Sequence, residues 1–140
     1  MRHSKFLAFN KFHKKIYEVH AIDFHHELIT AMSAGLTTHT FGFKDIELME
    51  GTGICDDDED EYCEIFCGSI AEMVYEGRNI ICEVKFETPG FMIVSNELDD
   101  GYIWLSELIE NDGPHCWLPD SKVIGNIYEN PELLEAPHVR

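Results

Sequence analysis

The chain has 140 residues, of which 27 are Asp or Glu, 10 are Lys or Arg and five are Cys, for a net charge of −17 at pH 7. A hydrophobic fraction of 44% with 11% aromatics excludes a disordered chain and suits one ordinary core or two very small subdomains. No apolar run approaches the roughly 20 residues of a spanning helix, the first fifteen residues contain no signal-type apolar stretch, and an odd cysteine count argues against a complete disulfide framework, so the sequence predicts a cytosolic protein with reduced thiols and no membrane contact.

In chain order, Lys5 to Phe9 and Ile16 to Val19 flank a polar turn opening at Asn10-Lys11, a hairpin pattern. Ala21 to Phe24 and Leu28 to Met32 are further strand candidates, with Gly35 marking a bend. Thr37 to Phe43 is rich in β-branched and aromatic residues and predicts a strand, continued by Ile46 to Met49. Gly51-Thr52-Gly53 reads as a turn. Between Cys55 and Cys63 lie six consecutive acids, Asp56, Asp57, Asp58, Glu59, Asp60 and Glu61. Like-charge repulsion and low β-propensity predict a solvated, mobile loop there.

From Ile70 onward the β character is strong. Ala71 to Tyr75 and Ile80 to Phe86 predict two strands joined by a four-residue loop, Glu76-Gly77-Arg78-Asn79. In the second, Ile80, Cys82, Val84 and Phe86 alternate against Ile81, Glu83 and Lys85. After a Thr88-Pro89-Gly90 turn come strands over Phe91 to Val94 and Tyr102 to Leu105. Ser106 predicts a cap for a short helix over Glu107 to Glu110. Asn111 to Pro119 reads as a loop, and Val123 to Tyr128 closes the domain. Five short strands with tight turns predict a small closed barrel, because closure removes edges.

Charge is distributed unevenly. Residues 1–50 carry six Lys/Arg against six Asp/Glu, and residues 51–140 carry four against twenty-one, so the whole deficit lies in the second part. Such a surface repels phosphate backbones and attracts basic partners.

Catalytic and metal templates find no match. From Asp56, an EF-hand loop would need Gly and Glu where Glu61 and Cys67 stand; from Asp58, where Cys63 and Ser69 stand. Cys63 and Cys67 have zinc-pair spacing with Cys55 upstream, but a second pair is missing, and buried apolar thiols are the plainer reading. His20, His25 and His26 cluster without a cysteine or paired carboxylate at motif spacing and read as surface histidines. There is no G-x-S-x-G, no G-x-x-x-x-G-K-[ST] and no G-x-G-x-x-G. The sequence therefore predicts no catalytic residue, no cofactor and no metal.

The last stretch is the most specific. Val123 to Glu135, VIGNIYENPELLE, resembles the closing signature of the YopX-like proteins of bacteriophages and prophages. The opening hairpin is similar too, with Phe6, Ala8 and Phe9 followed by Asn10-Lys11, where the family has a tryptophan and an aspartate in place of Phe9 and Asn10. Thr52-Gly53-Ile54 and Glu64 to Ile70 match in the middle, with Ser69 replacing an aspartate whose role, if any, would be lost. The resemblance implies a mainly β protein: an N-terminal β-hairpin region over 1–50, an acidic connecting loop over 51–63, an SH3-like barrel over 64–135 with one or two short helical turns, and a tail over 136–140. It implies a phage accessory protein in the cytoplasm of a bacterial host and no particular chemistry. The reading that follows is a non-enzymatic protein-interaction module touching a basic protein partner through Asp56 to Glu61, with a homo-oligomer as the other contact considered. The alternative is an acidic nucleic-acid mimic that occupies a host protein's DNA site.

Overall fold

The computed structural model describes residues 5–33 and 37–135, so the Gly35 bend and the tail over 136–140 lie outside the described residues. The chain divides into two compact units, Met1–Gly51 and Thr52–Arg140.

The first unit is an antiparallel sheet. Its strands are β1 (Phe6–Asn10), β2 (Lys15–Asp23), β3 (Leu28–Met32), β4 (Thr38–Gly42) and the first half of β5 (Ile46–Cys55), in the order β5-β1-β2-β3-β4. Asn10 shapes the first turn: its Oδ1 accepts the N–H groups of Phe12 and His13 at 2.9 and 2.8 Å. An aspartate would offer the same acceptor, so the exchange at this position keeps the turn. Ala8, Tyr17, Ile29, Ala31 and Ile46 form the buried cluster, with Val19, Ile22, Phe41 and Phe43 packed against it. Ala21 to Phe24 does not form a strand of its own. It continues β2 to Asp23 through a register shift between Val19 and Ala21, since no turn former separates the two pieces.

In the second unit, β5 ends at Cys55 and is followed by β6 (Glu64–Phe66), β7 (Ser69–Tyr75), β8 (Arg78–Glu87), β9 (Gly90–Val94), β10 (Tyr102–Trp104), β11 (Glu110–Asp112), β12 (His115–Trp117), β13 (Ser121–Asn126) and a one-turn helix, α1 (Glu132–Glu135). The alternation in β8 is realised as far as Val84: Ile80, Cys82 and Val84 are fully buried against Ala71 and Met73 of β7 and Ile93 of β9, whereas Phe86, expected on the same face, is exposed at the end of the strand. Burying one isoleucine contributes about 2 kcal/mol, against roughly 0–1 kcal/mol for an exposed ion pair, so this alternation and not the charge pattern holds the sheet.

Five further expectations need correction. The predicted closed, SH3-like barrel is an open five-stranded sheet, β10-β9-β8-β7-β13, whose end strands do not pair with each other among the described residues. Gly51-Thr52-Gly53 does not turn the chain. β5 continues through these residues to Cys55, with Gly53 at φ 78° and the Thr52 hydroxyl donating to the Ile65 carbonyl at 2.7 Å. The loop before β8 has two residues, not four: Tyr75 pairs with Arg78, and Glu76 and Gly77 both take left-handed φ values of 51° and 78°, the geometry whose twist suits a tight hairpin. Ser106 caps nothing. Leu105–Glu107 is a 3-10 turn without a side-chain cap, and the expected loop over 111–119 contains the β11–β12 hairpin.

Candidate interaction surface

The six acids after β5 are not equivalent. Asp56 is 1% exposed. Its Oδ1 accepts the N–H groups of Cys63 and Asp58 at 2.9 and 3.4 Å, and its Oδ2 accepts that of Val123 in β13 at 2.9 Å. Asp57 donates its N–H to the Ser121 carbonyl at 2.9 Å and accepts the Asp120 N–H on Oδ2 at 2.8 Å. A buried carboxylate is tolerated when donors surround it, and charge-assisted bonds are the strong ones. The loop is therefore fastened along β13 at its first two residues, which corrects the expectation of a wholly solvated segment. It also explains the open sheet: the outer edge of β13 is satisfied by Asp56 and Asp57 in place of β10.

Asp58 is half-buried, with its Oδ2 3.9 Å from the Lys122 ammonium and its Oδ1 accepting the Asp60 N–H at 3.1 Å. Glu59, Asp60 and Glu61 are exposed. Between the loop, β7 and β13 opens a shallow depression of about 260 Å³, rimmed by Asp57, Asp58, Glu59, Glu72 and Asp120, with Lys122 as its cation and Met73 and Val74 among its apolar lining. At the other end of the loop, Tyr62 meets the His115 ring edge-on at 5.5 Å, and His115 stacks on Trp117 at 5.1 Å. The strand register adds Asp112 opposite His115 and Glu110 opposite Trp117. Carboxylates beside exposed aromatic rings suit guanidinium and ammonium groups.

Of the cysteines, Cys63 is exposed, Cys55 and Cys67 are half-buried, and no group of three His, Cys, Asp or Glu among the described residues could hold a metal ion. Desolvation first, and then the charges of Asp56 and Glu61, push the Cys63 thiol above its ordinary range, the opposite of what a reactive thiolate needs. Burial pushes Cys82 up to about 12, as for an inert core residue. His25 and His26 meet edge-on at 4.7 Å, and the Nδ1 of His26 lies 2.7 Å from Asp23 Oδ2. Sequence reasoning missed a second group. The turn before β2 and the pairing of β2, β3 and β4 collect His13, Tyr17, His39 and Phe41, with His13 Nδ1 2.7 Å from the Tyr17 hydroxyl and His39 stacked on Phe41 at 5.5 Å. The two pairs lie more than twenty residues apart in the sequence, and only strand order, which no local pattern reports, brings them together.

The positions that carry the family resemblance are structural. Asn126 Oδ1 accepts the N–H groups of Tyr128 and Glu129, and Asn130 Oδ1 accepts that of Asn126. A Cβ at Gly125 would stand 2.5 Å from Asn130 Oδ1, so the glycine admits the asparagine that closes the turn after β13. Ser69 Oγ accepts the Phe66 N–H at 2.8 Å. That hydroxyl oxygen fixes the turn between β6 and β7.

The family model described as YopX protein matches residues 5–135. Among solved structures, the chain is similar to protein EF1440 from Enterococcus faecalis, with a TM-score of 0.57 and 25% identity over 96% of this chain and 99% of that one. Among curated proteins, nothing matches. The match spans nearly all of the sequence, from the opening hairpin through α1, and the chain belongs to the YopX protein family.

Proposed function

We propose that this YopX protein is a non-enzymatic interaction module, a phage or prophage accessory protein working in the cytoplasm of its bacterial host. Its docking surface is the acidic loop over 57–61 together with the rim of the neighbouring depression, and its partner is a protein with a basic segment. The observation that carries this reading is the anchoring of Asp56. Asp56, with Asp57, fixes the start of the loop, and Glu59, Asp60 and Glu61 are exposed on a supported backbone. Their charges gather where the second unit already concentrates carboxylates, which raises the association rate of a cationic partner and its sensitivity to salt.

The test is affinity capture from host lysate, with mass-spectrometric identification, by the wild type and by a variant carrying Asp58→Asn, Glu59→Gln, Asp60→Asn and Glu61→Gln. Asp56 and Asp57 stay in place so that the loop remains fastened. A basic protein retained at low salt, released by salt and lost with the variant supports the reading. Capture indifferent to the four substitutions overturns it, as does turnover of a nucleotide, ester or peptide abolished by one point mutation. Displacement of the captured protein by duplex DNA would assign the contact to that protein's DNA site.

A further inference from the structure

Unpaired strand edges invite pairing with another chain unless something blunts them. The edges of this protein differ in that respect. β13 is occupied along its outer side by Asp56 and Asp57 and carries a register shift between Val123 and Gly125. β6, β10 and β11 have three residues each, and β11 bears Glu110 and Asp112. β4, Thr-His-Thr-Phe-Gly, has five residues with no Asp, Glu, Lys, Arg or proline and an unbroken register with β3, its partner strand among the described residues. Thr38 and Thr40 are exposed.

The register fixes which groups face outward. Ser33 donates to the Thr37 carbonyl at 3.3 Å and Phe43 to the Glu27 carbonyl at 2.9 Å, which makes 33/37 and 27/43 hydrogen-bonded pairs. Antiparallel pairs alternate, so 29/41 and 31/39 are hydrogen-bonded as well, and 28/42, 30/40 and 32/38 are not. Thr38, Thr40 and Gly42 therefore turn both N–H and C=O to the outer edge.

We propose that two copies of the chain join through β4, antiparallel about a two-fold axis at Thr40. This register pairs Thr38 with Gly42, Thr40 with Thr40 and Gly42 with Thr38, each exchanging both hydrogen bonds. It sets His39 opposite Phe41 of the second copy, extending the stack these rings form within one chain. Charge favours a second copy as the occupant. Residues 1–50 are neutral overall, whereas an interface through residues 51–140 would oppose two surfaces that carry the whole −17 each. The pairing is isologous and closes on itself, so it yields a dimer and no fibre. It does not depend on the acidic loop, and its test leaves that loop untouched.

The experiment is sedimentation of the full chain over a concentration series. The wild type is expected to dimerise and to dissociate on dilution, as small interfaces do. Thr40→Lys and Thr40→Glu each place two like charges opposite one another and should each loosen the dimer by about tenfold or more, while an equimolar mixture of the two variants regains it. A wild type that stays monomeric up to about 1 mM overturns the proposal. So does a dimer unaffected by either substitution, or one that the mixture fails to restore. If a variant loses its β-sheet circular dichroism, amide exchange in the wild type decides. The amides of Thr38, Thr40 and Gly42 should slow with rising concentration, and those of His39 and Phe41, already bonded to β3, should not. Equal behaviour of the two sets sinks the idea.

Discussion

The edges of β13 and β4 show two ways of leaving a sheet open. Along β13 the chain supplies its own cover, because a buried carboxylate and its neighbour bond to the outward N–H and C=O groups. Along β4 the same kinds of group face outward from a neutral strand with no such cover among the described residues. The acidic part of the chain closes its own backbone and displays charge. The neutral part keeps its charges balanced and displays backbone. The stretch that looks like a solvated acid run is thus partly a structural element, and the bland strand THTFG is the more exposed pairing surface.

Asp56→Ala tests the sealed edge most severely. It orphans donors from Cys63, Asp58 and Val123 around a buried site, and the expected loss is about 3 kcal/mol in urea unfolding. Asp56→Asn, which keeps an acceptor, should lose less. A loss below about 0.5 kcal/mol would return the loop to the status of a free acid run. Next comes Gly125→Ala, which drives a methyl group into Asn130 and should cost about 1–3 kcal/mol. In an Asn130→Ala background the cost should shrink, and a double-mutant cycle reads that coupling. Ser69→Ala should cost about 1 kcal/mol by removing the acceptor of the Phe66 N–H, whereas Ser69→Thr, which keeps the hydroxyl, should cost less. Equal effects of the two would show that the oxygen at Ser69 does not matter.

The smallest effect concerns Glu83, whose carboxyl burial pushes above the ordinary range, opposed by Lys85. A raised folded-state value means that the protonated form is favoured on folding. The resulting stabilisation is fully present below the unfolded value and is lost as pH rises through the folded one. Glu83→Gln should therefore raise the thermal midpoint at neutral pH relative to wild type, and the gap should close on acidification below the ordinary glutamate range. A gap that widens on acidification would refute the assignment to burial.

Much of the local structure was legible. β3 was read at its true limits, and the alternation in β8 named the buried side from Ile80 to Val84 but not at Phe86, because a two-residue period leaves one face dry only as far as neighbouring strands cover it. The strand expected to run to a stop at Asn130-Pro131 ends earlier, at Asn126, because the Asn126 side chain accepts the N–H groups of Tyr128 and Glu129 and turns the chain there. The two-residue hairpin was read as too long, since Arg78 and Asn79 resemble turn residues but pair as strand once Glu76 and Gly77 have reversed the chain. The Gly51–Gly53 turn failed for a similar reason: strand pairing on either side outweighed two glycines.

Residue type, spacing and the hydrophobic period determine by themselves that this chain is a mainly β YopX protein and where its charge accumulates, since those quantities act over a few neighbouring residues. Partnerships across long stretches of sequence belong to the tertiary structure alone. Asp56 meets Val123 and the ring of His39 meets Tyr17 because strand order and register bring distant backbone together, and that order is set by global packing and edge satisfaction, which no local window contains.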